Sequence, residues 1–321
     1  MGKGLLLTVS LVFLQYASLE NIDPYLCTHL VYTNSRDSEN LTEWNDDDMY
    51  RRFNDLKRKN KKLKTLLGFG GWNNRGSRYV NISSTLKNRK AFIKSVVHFL
   101  KRHKFDGLDL DWRFPRRENS HAKYKQYFTL LSKELMRAFT TEALCSGKDR
   151  LLLTAAVTAN IFLANLRYEI SEVSQYLDFI SVMSFNLRGV WDGFTGHHSP
   201  LFVGSKEHLP LMRFNINFAL KYWRDQGTPK VKLLAGIPTF GISFTLKTSN
   251  TSLFAPIAGK GDPGPNTQKS GILAYYEAQW VKRNRFGGAM LWALDLDDYN
   301  GTYCNEGSFP LANTLKTTLG V

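Results

Sequence analysis

Asp109, Asp111 and Arg113 stand two residues apart in Phe105-Asp106-Gly107-Leu108-Asp109-Leu110-Asp111-Trp112-Arg113-Phe114-Pro115. Apolar and charged residues alternate there, and a period of two belongs to a strand. The three charged groups therefore share one face, while Leu108, Leu110 and Trp112 take the other. Unpaired buried charge is costly, so the charged face needs partners or a wet cavity. A polar edge strand paired with a neighbour meets that need. So does a strand whose acidic face lines an active site, ended by Pro115.

Such a strand must be held by others. Apolar runs of strand character recur at Cys27–Tyr32, Leu63–Phe69, Gly107–Trp112, Leu151–Val157, Phe179–Phe185, Lys232–Ile237 and Ala289–Leu294. Between them lie helical patterns, among them Asp46–Lys59, Asn88–His103, Ala122–Ala143 and Phe214–Gln226. Near-continuous apolar strands alternating with amphipathic helices predict a parallel sheet covered by helices. Seven such strands nearly complete a TIM barrel, which needs eight. No linker rich in Pro, Gly or Ser divides the chain, and it carries no internal repeat.

The 321 residues suffice for one large α/β barrel, and the net charge is +15. That charge favours anionic partners such as sulfated glycans, acidic membranes or nucleic acid. The cations are spread, with clusters at Arg51-Arg52, Lys57 to Lys64 and Lys101 to Lys104. No nucleic-acid motif accompanies them, and a solvated basic surface also accounts for them.

Residues 1–18 carry Lys3 and an apolar run from Leu5 to Leu14. The run is too short for a transmembrane helix and right for the apolar core of a signal peptide. Gln15 and Tyr16 make a poor cleavage end, and a buried strand of the mature fold is the alternative. Acceptor sequons at Asn40, Asn81, Asn250 and Asn300 fit a secreted glycoprotein. Cys27, Cys145 and Cys304 are an odd set, which leaves a thiol unpaired, and their spacing matches no metal site.

Several stretches together carry a family resemblance. Asp106 to Pro115 resembles the signature strand of glycoside hydrolase family 18, the chitinases and chitinase-like lectins, whose pattern reads DGxDxDWEYP. Asn21-Ile22-Asp23-Pro24 through Tyr32 looks like the family's second strand and its approach, and Leu66 to Asn73 its third strand with a Gly-Gly-Trp-Asn end. Met183-Ser184-Phe185-Asn186 sits where the family has Met-x-Tyr-Asp, and Gly287 to Ala293 matches the last strand. The resemblance implies an α/β fold, a TIM (β/α)8-type barrel over residues 19–321.

Two family segments are lacking against that pattern. The first barrel strand is absent after the leader, and most of the small α+β insertion domain is gone, leaving a remnant at about 242–277. The usual disulfide partners of Cys27 and Cys304 would lie in those pieces.

Family members hydrolyse β-1,4-linked N-acetylglucosamine polymers with the sugar's own acetamido oxygen as nucleophile, so the enzyme supplies an acid. That acid is the last Glu of the signature strand, and Asp109 and Asp111 match the aspartates that tune it. Arg113 stands in its place. A guanidinium stays protonated and cannot act as the acid. Phe185 replaces a Tyr that steadies the acetamide and Asn186 the adjacent Asp. Phe240 replaces a further Tyr, and Ile242 a basic residue.

Trp292 corresponds to the floor of the cleaving subsite and Trp72 to an adjacent subsite. Asn73, Phe114, Met183, Trp191 and Met290 fall on further sugar-contact positions. Indole faces bind the apolar faces of pyranose rings, so a groove can keep them without catalysis.

The expected protein is a secreted, catalytically silent, monomeric chitinase-like lectin that binds chitin oligomers or related glycans. It needs no cofactor or metal, binds no nucleic acid and has no transmembrane segment. The alternatives are a weakly active chitinase with Asp111 as acid, a protein binding sulfated polyanions, and a non-functional truncated product.

Overall fold

The computed structural model of the chain describes residues 4–12, 19–33, 47–71, 77–112, 121–205, 207–261, 288–299, 301 and 306–321. Eight parallel strands close into a barrel: β1 (Leu6–Val12), β2 (His29–Thr33), β3 (Lys64–Gly70), β4 (Gly107–Asp111), β5 (Leu152–Thr158), β6 (Phe179–Met183), β7 (Leu233–Pro238) and, after a hairpin, β10 (Gly288–Trp292). The hairpin strands β8 (Phe244–Leu246) and β9 (Ile257–Lys260) form a separate antiparallel pair within the span read as the insertion remnant.

The expectation of a barrel without its first strand is corrected. Leu6–Val12, whose apolar run reads equally as a leader, pairs in parallel with β2 on one side and β10 on the other. Leu7 and Val9 are fully buried, and the Thr28 hydroxyl bridges the N–H and C=O of Leu7. A closed barrel has no strand edge left to pair with another chain.

The helices cover the strands as their spacing dictates. In α1 (Asp47–Lys59), Tyr50, Phe53 and Leu56 turn inward at intervals of three. In α3 (Leu86–Arg102), Phe92, Ile93, Val96, Phe99 and Leu100 form one apolar stripe, and the Thr85 hydroxyl caps its first turn. Phe128, Leu131, Leu135 and Phe139 do the same in α4 (His121–Ser146). The remaining helices are α2 (Ser77–Ser83), α5 (Ile161–Arg167), α6 (Ile170–Tyr176), α7 (Ile216–Asp225) and α8 (Pro310–Leu319). Asp297 accepts the N–H of Ala312 and so stabilises the start of α8.

Alternate strand residues face the lumen. Val31, Leu66, Phe179, Leu234 and Met290 pack together there. His29 meets the Phe179 ring edge-on at 5.1 Å, and burial pushes the imidazole down to about 4, so it is neutral. The expected outward face of β4 is as the alternation requires: Leu108, Leu110 and Trp112 are fully buried, with the Trp112 ring against Tyr79 and Phe128.

Candidate functional site

The C-terminal ends of parallel barrel strands share one rim, and the loops that follow them build its mouth. β4 brings Asp109 and Asp111 to that rim, both nearly buried. Register places Asp109 beside Thr154 of β5, whose hydroxyl donates to Asp109 Oδ1 at 2.5 Å. Burial pushes the Asp109 carboxyl up to about 7, the Thr154 hydroxyl opposes that, and the charge of Asp111 adds to it. Asp109 therefore holds a proton over much of the acid range while remaining behind Asp111 on the same strand face.

The end of β3 approaches Asp111 closely, and two glycines permit it. Gly71 N–H and the Tyr79 hydroxyl both donate to the Asp111 carbonyl, at 3.2 and 2.9 Å. Gly70 has φ +117°, and a Cβ there would lie 2.1 Å from that carbonyl oxygen. Any side chain at this position would push β3 and β4 apart at the mouth.

Aromatic rings form the opposite wall. Phe185 stacks on Trp292 with centroids 6.4 Å apart and planes 23° from parallel, and Phe240 meets Phe185 edge-on at 5.8 Å. Met183 packs against this group, and Met290 is buried in the same lumen cluster. Phe185 and Phe240 bring shape without a hydroxyl. Asn186 has φ +53°, a left-handed conformation that asparagine tolerates well. Its N–H donates to His198 Nδ1 at 3.2 Å, while His198 Nε2 donates to the Phe240 carbonyl at 2.8 Å. An accepting Nδ1 requires the neutral ring, and burial pushes its pKa down in agreement. His198 thus ties the ends of β6 and β7 together.

Trp191 stands on the loop after β6 and is 66% exposed. Its ring lies over Gly189, where a methyl would meet the indole at 2.5 Å. The loop is fixed by Arg188, which is buried, bonded to Asp192 and Glu207 and set between Phe194 and Phe254. Backbone bonds from Thr195 to Ala255 and from Ile257 to Gly193 join this loop to the β8–β9 hairpin.

Of the expected site residues, Asp109, Asp111, Met183, Phe185, Asn186, Trp191, Met290 and Trp292 come from strands and loops of this one mouth. Trp72, Asn73, Arg113 and Phe114 lie outside the described residues, as do Asn40, Asn300 and Cys304. Asn81 and Asn250 are exposed. Cys27 is a buried free thiol and Cys145 an exposed one. Sequence reasoning missed Thr154, Tyr79, Arg188 and His198. Only a neighbouring strand's register or a distant loop makes them relevant, although Gly196-His197-His198-Ser199 offers a polar cluster after the mouth strand. Among the described residues no group of His, Cys, Asp and Glu is arranged to hold a metal, and no helix is long and apolar enough to cross a membrane.

Residues 11–279 match the model of Glycosyl hydrolases family 18. Chitotriosidase-1 of Mus musculus is 40% identical over 94% of this chain and 74% of its own length. Chitinase-3-like protein 2 of Homo sapiens is 38% identical over 94% of this chain and 87% of its own. Among solved structures, human YKL-39, described as a pseudo-chitinase with retained chitooligosaccharide binding properties, superposes with a TM-score of 0.90 at 33% identity, covering 99% of this chain and 100% of that one. With the barrel, its acidic strand and its aromatic wall in agreement, the chain belongs to glycosyl hydrolase family 18.

Proposed function

We propose that this protein binds chitin oligomers or related glycans at the barrel mouth without hydrolysing them. The observation that carries the reading is the Phe185–Trp292 stack at the same rim as the Asp109–Asp111 strand. Stacked ring faces offer the apolar contact that pyranose rings use. The chitooligosaccharide binding retained by the pseudo-chitinase YKL-39 supports it.

Chemical silence follows from position 113. Substrate-assisted cleavage needs a carboxyl that gives its proton to the leaving oxygen, and Arg113 offers only a permanent cation. Loss of general acid catalysis costs about 10²–10⁴-fold. The proton held by Asp109 favours one second reading, residual hydrolysis through the Asp109–Asp111 pair. Release of reducing ends from chitohexaose, lost in Asp111→Ala, would establish it.

Export belongs to the same proposal, with Leu5–Leu14 as targeting segment and Asn81 and Asn250 as exposed glycan acceptors.

Calorimetric titration with chitohexaose tests the binding. Saturable binding is expected, weakened about 30-fold or more in Trp292→Ala, the loss typical of a central aromatic contact. No heat with the parent protein, or equal affinity in the variant, would remove the reading.

A further inference from the structure

Two arginines are buried among the described residues, and they hold different things. Arg89 joins α3 to Glu134 of α4 and to the Ser83 carbonyl, all within the helical shell. Arg188 stands on the loop after β6, three residues before Trp191. Its Nε donates to Asp192 Oδ2 at 3.1 Å and its Nη1 to Glu207 Oε1 at 2.8 Å. Each carboxylate then reaches further backbone: Asp192 Oδ2 accepts the Gly189 N–H and Glu207 Oε2 the Gly204 N–H, both at 2.9 Å. The guanidinium also lies over Phe194 of the same loop, at 5.2 Å, and over Phe254 of the β8–β9 hairpin, at 5.8 Å. One side chain thus draws three chain segments onto a single turn, Val190–Asp192.

That turn presents Trp191 at the mouth. One side of the indole rests on Gly189, and 66% of the residue is open to solvent. A ring left this exposed adds little burial energy to the fold. A buried ion pair is a poor source of stability as well, because desolvation offsets its attraction. Here the cation is also tightly confined: a Cβ on Gly196 would meet Arg188 Nη2 at 3.0 Å, and Nη2 has no hydrogen-bond partner among the described residues. The exposed ring and the costly cation beneath it make sense together when the network fixes the indole before a ligand arrives. Binding is then spared the entropy of ordering it. We infer that Arg188 is a positioning residue for the glycan, which touches no sugar and presets Trp191 as a stacking platform. This role rests on the binding of chitin oligomers at the mouth proposed above, and places part of that affinity in a side chain buried away from the ligand.

The test is calorimetric titration of the full chain with chitohexaose in a double-mutant cycle of Arg188→Met and Trp191→Ala. Trp191→Ala should weaken binding about tenfold. Arg188→Met should cost as much or less, since a residue acting through Trp191 can cost no more than the ring itself. In the double variant the second change should add less than about twofold. Arg188→Lys keeps the charge and should recover most of the loss, and Asp192→Asn loosens the same turn from the carboxylate side should Arg188→Met not fold. Tryptophan emission gives a readout that a general loss of stability does not move. The part of the emission change on titration that Trp191→Phe removes should shrink in Arg188→Met even at saturating oligomer. Losses that add in the double variant, or a larger loss in Arg188→Met than in Trp191→Ala, would place the effect of Arg188 elsewhere and overturn the proposal. Parent affinity in Arg188→Met beside a weakened Trp191→Ala would overturn it too, with glycan binding at the mouth left standing. No binding by the parent, seen in the first titration, would remove both.

Discussion

At the C-terminal ends of the strands the chain concentrates carboxylates and ring faces: Asp109 and Asp111 on β4, with Phe185, Phe240 and Trp292 across the lumen. At the N-terminal ends of the same strands it concentrates exposed lysines, and His29 packs edge-on against Phe179 in the lumen there. Strand polarity explains why the two ends can diverge. Each end is built from its own set of loops, and a change in one set leaves the other in place as long as the barrel closes. The mouth sets two carboxylates opposite rings that carry no hydroxyl, whereas the floor presents exposed lysines.

The largest effect expected from any change strikes both ends together. Deleting residues 1–18 removes β1, opens β2 and β10 as unpaired edges and leaves the lumen without Thr8 and Ser10. The deleted protein should lose its cooperative melt and bind ANS, while intact mass of the exported parent should include Leu6–Val12. A deleted protein that melts like the parent would mean the strand is dispensable and both ends stand without it.

Arg113→Glu tests the proposed silencing of the mouth. A carboxyl placed two residues beyond Asp111 should raise turnover of a fluorogenic chitobioside by about 10²–10⁴-fold. If turnover stays at background, Phe185 and Asn186 limit the chemistry as much as Arg113, and the mouth was silenced by several changes.

The barrel was legible because parallel strands buried on both sides read as unbroken apolar runs, and each of Cys27–Tyr32, Leu63–Phe69 and Leu151–Val157 reappears within one or two residues of its ends. The same property hid β1. An unbroken apolar run of this length suits a leader and a buried strand equally, and only pairing with β2 and β10 decides its place. The alternation of Leu108, Asp109, Leu110 and Asp111 was readable since one strand specifies its own faces. The Thr154 hydroxyl on Asp109 was not, because it depends on the register of a strand 45 residues away. His198 escaped for the same reason: its two bonds reach 12 and 42 residues along the chain.

The smallest effect is also the one that compares the two ends of the lumen directly. Asp109, toward the mouth, has its carboxyl raised from 3.8 to about 7, chiefly by burial. Between those values the folded chain keeps a proton that the unfolded chain releases, so this group's contribution to stability falls as pH rises. His29, toward the floor, is lowered from 6.5 to about 4, again chiefly by burial. Between pH 4 and 6.5 the unfolded chain binds a proton that the fold excludes, so its contribution rises with pH. Over that shared window the two slopes oppose each other and the pair leaves stability nearly flat. Asp109→Asn removes the falling slope and keeps an acceptor for Thr154. The melting temperature of this variant should therefore gain on the parent as pH rises from about 4 to about 7 and hold its advantage above that. At about 1.4 kcal/mol per pKa unit, the gain is bounded by about 4 kcal/mol. A variant-minus-parent difference that does not change with pH would show that Asp109 carries no extra proton in the fold.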